Sequence, residues 1–240
     1  VTARMNEFLL IFSLILIYLG VLAAYRFFGT AGLYCGTVFA TITANIEVLL
    51  LVDAFGLEQT LGNILFAATF LITDILSETE GKKAAQKAVN LGIATSMAFI
   101  VISQLWLLYT PAESDWARSS FELIFSNTPR LMIVSFLVYA ICQRFDVWAY
   151  HKWWKFTEKK CGDSMRFLWL RNNGSTLISQ LLNTVLYSFG AFWGMYNMQT
   201  MIGICISSYV IFIVTSLADT PIVYLARRVK NNNMHFFAKS

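Results

Sequence analysis

Apolar residues run through this chain in blocks of about twenty, not in the short alternations of a soluble fold. Seven blocks can be drawn, over about 8–28, 33–54, 60–77, 88–109, 129–151, 172–194 and 198–226. Roughly 20 helical residues cross the hydrocarbon of a bilayer. The pattern therefore predicts an all-α integral membrane protein, a bundle of six to seven transmembrane helices forming one domain over 1–240. The first block is too long for the apolar core of a signal peptide, and no small-residue cleavage site follows it. The last exceeds what a bilayer needs and predicts tilt or a kink near Pro221.

The sixth block carries a second pattern. At about 100° per residue, Asn173, Thr176, Gln180, Asn183, Thr184 and Tyr187 fall within one arc of roughly 100°. Leu177, Ile178, Leu181, Leu182 and Val185 fill the other side. A helix in lipid satisfies its own backbone but not its side-chain amides. One amide is ordinary packing glue, whereas six polar groups in file mark a polar helix–helix seam or the wall of a substrate cavity.

Composition agrees with the blocks: 57% of the 240 residues are hydrophobic and 13% charged, against about 25% charged in soluble domains. Charge then orients the chain. With the N-terminus outside, the inner loops and span ends hold Arg26, Lys82, Lys83 and Lys87, the six from Lys152 to Arg171, and Arg227, Arg228, Lys230 and Lys239. Outside lie only Arg4, Arg118 and Arg130. This asymmetry predicts N-out, C-in. The net charge of +4 is spread over short loops and is no nucleic-acid footprint. In the long outer segment Thr110–Thr128, Ser114 and Asp115 are placed to start a short helix. Cys35, Cys142, Cys161 and Cys205 show no paired spacing and read as free thiols.

Polar groups at membrane depth are the candidate chemistry, because an ionisable side chain there costs on the order of 3 kcal/mol. Asn45 and Glu47 sit mid-run in the second block, and Glu47 reads as the most deeply placed carboxylate. Asp74 and Glu78 lie one turn apart, near the lysines of the following loop. Asp146 shares a face with Tyr150, beside Trp148 and His151. Asp219 and Thr220 precede Pro221, which frees a backbone carbonyl one turn earlier. No P-loop, HExxH, paired Cys/His set or GxSxG occurs, so the inventory suits hydrogen bonding and ring stacking, not covalent catalysis, and no cofactor or metal is expected.

The segments TDILSETEGKKAAQKA, DVWAYHKWWK, LWLRNNGSTLISQLLNT and LADTPIVYLARR, in this order and spacing, resemble the queuosine precursor transporter family, also called the vitamin uptake family. The resemblance covers roughly 33–228. It implies a multi-pass carrier of the bacterial inner membrane that imports a planar, purine-like 7-deazaguanine base. The implied substrate site comprises Asn45, Glu47, Asp74, Glu78, Asp146, Trp148, Arg171, Asn172, Asn173, Thr176, Gln180, Asn183, Asp219 and Thr220. Amides and a carboxylate would pair with the base's edge while an aromatic ring covers its face. Arg171 would stack on the base or pair with an acid such as Asp146. Two positions depart from the family pattern: Asn183 stands where an aspartate is usual, and Phe212 where a lysine is usual. Two other readings stay open. One is a substrate-binding subunit that needs a separate ATPase module; the other is a structural protein whose amide stripe is a homodimer seam. Gly20, Gly92, Gly190 and Gly194 would allow the close packing a dimer requires.

Overall fold

The computed structural model describes residues 2–48, 50–126, 129–162 and 167–237. Thr128, Arg166 and Lys239, and the side chain of Cys161, lie outside what is described. Seven helices follow one another: α1 (Thr2–Glu47), α2 (Gly62–Thr79), α3 (Lys82–Leu108), α4 (Arg118–Ser126), α5 (Pro129–Cys161), α6 (Leu168–Phe192) and α7 (Met198–Phe237).

α1 is two limbs joined at Gly29, whose φ of 58° and ψ of −143° is backbone that only glycine adopts readily. The chain reverses there. Asn6, near the start of the first limb, donates to the Asp53 carbonyl at 3.0 Å, and the Phe55 amide donates to Glu7 at 3.1 Å. The limbs correspond to the first two expected spans. The second is shorter than expected, ending at Glu47 instead of residue 54. Two strands follow, β1 (Leu51–Ala54) and β2 (Leu57–Thr60), paired antiparallel from Leu51↔Thr60 to Ala54↔Leu57. Phe55 and Gly56 form the turn with φ of 55° and 71°, the doubly left-handed geometry that suits a two-residue hairpin. A short apolar run does not by itself tell strand from helix, which is why the hairpin was hidden in the end of a span.

Helices α2, α3, α5, α6 and α7 fall on the remaining five apolar blocks, and α3, α5 and α7 run past them at one end. α3 begins at Lys82, α5 continues ten residues past His151, and α7 continues past 226 with Pro221 inside it. α7 is about 60 Å long at 1.5 Å per residue, so it overshoots the hydrocarbon at one end. α4 forms as expected, with Asp115 accepting from the Ala117 and Arg118 amides at 2.9 and 3.1 Å.

Helix α2 is the axis of the bundle. Its residues Ala67 to Ser77 are buried without interruption, and α1, α3, α5 and α7 pack around it. At one end lie the hairpin, α4 and the α6–α7 turn. At the other lie Gly29, the α2–α3 turn and the end of α7, with Arg26, Lys82, Lys83, Lys159, Arg227, Arg228 and Lys230. We call these the hairpin end and the basic end.

The protein is apolar outside and polar inside. Phe8, Leu16, Val101, Ile141, Ile178, Val210 and Leu217 are exposed, while Asp74, Asp146, Arg171 and Asn172 are completely buried. Water would not tolerate that surface, and a bilayer demands it. Among the described residues three helices are long and apolar enough to cross a membrane by length and composition alone: α1, α3 and α7. α2 is enclosed by its neighbours, and α5 and α6 turn polar faces inward.

Small residues serve packing within the chain. A Cβ on Gly92 would collide with the Tyr139 hydroxyl, and one on Gly190 would fall 2.8 Å from Val134. Gly194 is a turn residue with φ of 82°, and a Cβ on Gly20 would meet nothing within 4 Å. Gly92 and Gly190 therefore seat helices of the same chain, which removes two of the four glycines from the argument for a dimer.

Candidate functional site

The stripe on α6 faces the bundle interior: Thr176, Gln180, Asn183 and Thr184 are buried, whereas Ile178, Leu181 and Val185 look outward. Followed along the bundle axis, the groups it meets lie in layers.

At the hairpin end a cavity of about 490 Å³ opens between the hairpin, α4, α6 and α7. Asn63, Gln59, Thr60, Asn183, Thr184, Tyr187, Ser188, Ser208 and Phe212 line it together with apolar residues. Among the described lining residues none is charged. Thr60 donates to the Asn63 side-chain oxygen at 3.4 Å, while the Asn63 amide nitrogen is buried without a partner among the described residues. A narrow extension reaches Phe66, Ser135 and Val138, with Asn183, Tyr187 and Phe212 shared between the two spaces. Phe66 packs against Phe70, Tyr139 and Phe212 at ring distances of 5.4, 6.1 and 6.2 Å, closing the cavity floor.

Beneath that floor is a layer of amides and acids. Gln143 of α5 donates to the Thr69 hydroxyl at 2.6 Å and accepts from Thr73 at 3.3 Å, tying α5 to α2. One turn further, Thr176 donates to Asp74 at 3.0 Å and Ser179 donates to Asp146 at 2.8 Å. Each carboxyl keeps a second oxygen with no hydrogen-bond partner among the described residues. The same holds for one oxygen of Asp219 and for the side-chain oxygens of Gln180, Asn172 and Asn45. Asn172 and Asn173 both donate to Thr220, at 3.3 and 2.7 Å, and Ser216 donates to Asn173 at 3.2 Å. α6 is thus pinned to α7.

The basic end is closed by an ionic cluster. Arg171 grips Glu78 with its Nε and Nη2 at 2.7–3.0 Å, both side chains being buried. Tyr150 donates to the same carboxylate at 2.8 Å, and Arg227 lies 3.6 Å from it. The Arg171 guanidinium also covers the Trp154 ring at 4.2 Å, and the His151 ring lies parallel to that ring with centroids 5.9 Å apart. A planar cation held by a carboxylate and an aromatic face is well matched in geometry.

Three expectations need correction. Glu47 is not at mid-span: it is the last residue of α1 and lines a separate groove with Asn6, Leu10 and Ser13, because the chain leaves the helix there for the hairpin. The deepest carboxylates are Asp74, Asp146 and Asp219. Trp148 does not face the interior: it is 46% exposed on the outer side of α5, beneath Lys152 at 4.6 Å. Arg171 pairs with Glu78, and Asp146 takes its hydrogen bond from Ser179. Sequence reading left Gln143, Asn63, Gln59 and Trp154 out of the candidate site. Gln143 was findable, since an amide inside an apolar run invites the question Gln180 raised. The others depend on where helices meet.

An apolar surface, buried polar groups and three helices among the described residues long and apolar enough to cross a bilayer mark a helical membrane protein. The comparisons then specify which. A family profile described as "Putative vitamin uptake transporter" matches residues 60–226. A protein of Bacillus subtilis (strain 168) named "Probable queuosine precursor transporter" is 37% identical over 228 residues, covering 95% of this chain and 97% of the relative. No solved structure matches. The chain belongs to the vitamin uptake transporter family.

Proposed function

We propose that this chain imports a queuosine precursor, a 7-deazaguanine base, across the bacterial inner membrane as a single transmembrane unit without catalysing a reaction. The observation that carries the reading is the uncharged cavity at the hairpin end. Its volume lies within the roughly 300–1,000 Å³ of small-molecule sites. Its walls combine amides and hydroxyls with flat rings, which suits a neutral planar heterocycle with donor and acceptor edges. Asn63 and Asn183 would hold the base's edge while Phe212 and Tyr187 cover its face. Asn45, Asn172, Thr176 and Gln180, with Asp74, would form the deeper station the base reaches when access passes to the other side. The name and near full-length coverage of the B. subtilis relative support this substrate.

Seven crossings and an N-terminus outside fit the separation of the basic end from the hairpin end. In that orientation the cavity faces outward, and the Glu78–Arg171–Tyr150 cluster closes the inner side. Thr220 and Asn173 would hold α6 and α7 together as they move.

The test is thermal stabilisation of the detergent-purified protein by a panel of queuine, the aminomethyl and cyano deazaguanines, guanine and several vitamins. A ligand at about 100 times its Kd should stabilise by roughly 2.7 kcal/mol. A shift with one deazaguanine and none with guanine is the expected result. No shift with any deazaguanine sinks the assignment. Uptake by the chain alone in liposomes separates a self-sufficient carrier from a subunit that needs an ATPase.

A further inference from the structure

The cavity that suits the base is uncharged, yet the layer below it holds three carboxyls from three helices: Asp74 of α2, Asp146 of α5 and Asp219 of α7. All three are at most 1% exposed. Among the described residues none of them forms a salt bridge, whereas Glu78 is matched by Arg171 and Arg227. The groups facing this layer can be named element by element. α1 brings Tyr18; α5 brings Asp146 itself and Tyr150; α6 brings Thr176 and Ser179, with Arg171 engaged one turn away on Glu78. α7 brings Asp219, with Arg227 beyond it. The buried face of α3 (Ala85, Ala88, Val89, Gly92, Ser96, Phe99 and Ser103) brings no titratable group.

Charge alone would make this an acidic cluster and no more. A second observation distinguishes it. Gln180, 1% exposed, one turn from Thr176 and next to Ser179, keeps a side-chain oxygen without a partner among the described residues, as do Asn172 and Ser77. Together with one oxygen each of Asp74, Asp146 and Asp219, these leave a group of buried acceptor atoms that no donor among the described residues reaches. Among the described residues no acid, Cys or His group is arranged to hold a metal ion.

We infer that Asp74, Asp146 and Asp219 form a proton-carrying layer that couples inward movement of the base to inward movement of H⁺. This rests on the carrier reading above and adds the coupling ion to it. The physical logic is that an uncompensated carboxylate opposes occlusion in a dry interior. A proton arriving from the cavity side neutralises it and permits the bundle to close over the base. Release of that proton on the other side follows when the Glu78–Arg171 cluster opens. Asp146 and Asp219 thus have a role apart from gripping the base.

The test uses the full chain in sodium-free proteoliposomes with a pH-sensitive dye in the lumen and the membrane potential clamped. The base added is whichever deazaguanine shifts the melt. The expected result is acidification of the lumen on adding base, with accumulation rising about tenfold per pH unit of acid-outside gradient for one proton per base. Asp146→Asn and Asp219→Asn should lose acidification and gradient-driven accumulation while still exchanging labelled base for unlabelled. Accumulation without acidification, or accumulation driven by a sodium gradient alone, overturns the inference. The wild-type trace decides this even if a variant fails to fold. If no base binds in the melt, the substrate reading itself has fallen, a different failure from binding and exchange without proton movement.

Discussion

At the scale of single residues, Glu78 carries the clearest energetic consequence. It is 1% exposed by side chain and receives Arg171 through two nitrogens, Tyr150 through its hydroxyl, and Arg227 at longer range. Removing one partner of a buried ion pair typically costs about 3–5 kcal/mol, because the other charge stays desolvated. Glu78→Ala should therefore lower the detergent melting temperature markedly. Adding Arg171→Met to it should restore part of the loss, and a double-mutant cycle measures the coupling. A second effect of Glu78→Ala equal to its parts, with no recovery in the double variant, would refute this account. Both residues were legible as polar groups where lipid is expected. Their partnership was not, since 93 positions separate them and only packing brings them together. Trp148 shows the same limit from the other side: Asp146 and Tyr150, two residues to either side, are buried, and two helical steps of about 100° turn it to the outer surface.

Among the elements, helix ends explain the exceptions to the charge rule. Arg118 donates to the carbonyls of Trp106, Leu107 and Tyr109, and Arg130 to those of Gly190 and Trp193. Each covers the open C-terminal end of a helix, α3 or α6, where a cation is favoured. Arg118 and Arg130 are thus held by local structure and not by topology. α3 and α5 approach closely only because position 92 lacks a side chain. Gly92→Ala would drive Tyr139 aside, and Tyr139 packs on Phe66 in the cavity floor. Overpacking of this kind costs about 1–3 kcal/mol. The variant should melt earlier and also show a smaller ligand-induced shift than wild type. An unchanged ligand shift in a destabilised variant would mean that the floor does not shape the site.

For the whole molecule, the layered interior predicts which positions water and reagents reach. Ser208 lines the outer cavity, and Ser77 lies buried below the aromatic floor. With the four native cysteines replaced, Ser208→Cys should react with a membrane-impermeant maleimide applied to intact cells, and Ser77→Cys should not. Prior addition of the transported base should protect Ser208→Cys. Labelling only after the membrane is broken would reverse the proposed orientation. The departures at Asn183 and Phe212 also acquire meaning at this scale, because both line the same cavity and its narrow extension. Sequence alone left them 29 positions apart on different spans, whereas the fold makes them two sides of one wall.

Hydropathy and helical periodicity are properties of neighbours along the chain. The sequence therefore determined the helical membrane class, the approximate spans, the polarity of the loops and the inward face of α6. The four family motifs likewise marked Asp74, Glu78, Arg171, Gln180 and Asp219 before any helix was packed. Which polar groups meet was decided by tertiary structure, because helix rotation and contact between distant segments set it. That level alone turned Glu47 and Trp148 away from the interior and drew a hairpin from the end of an apolar run. It also joined Arg171 to Glu78 and opened the cavity above the buried carboxyls.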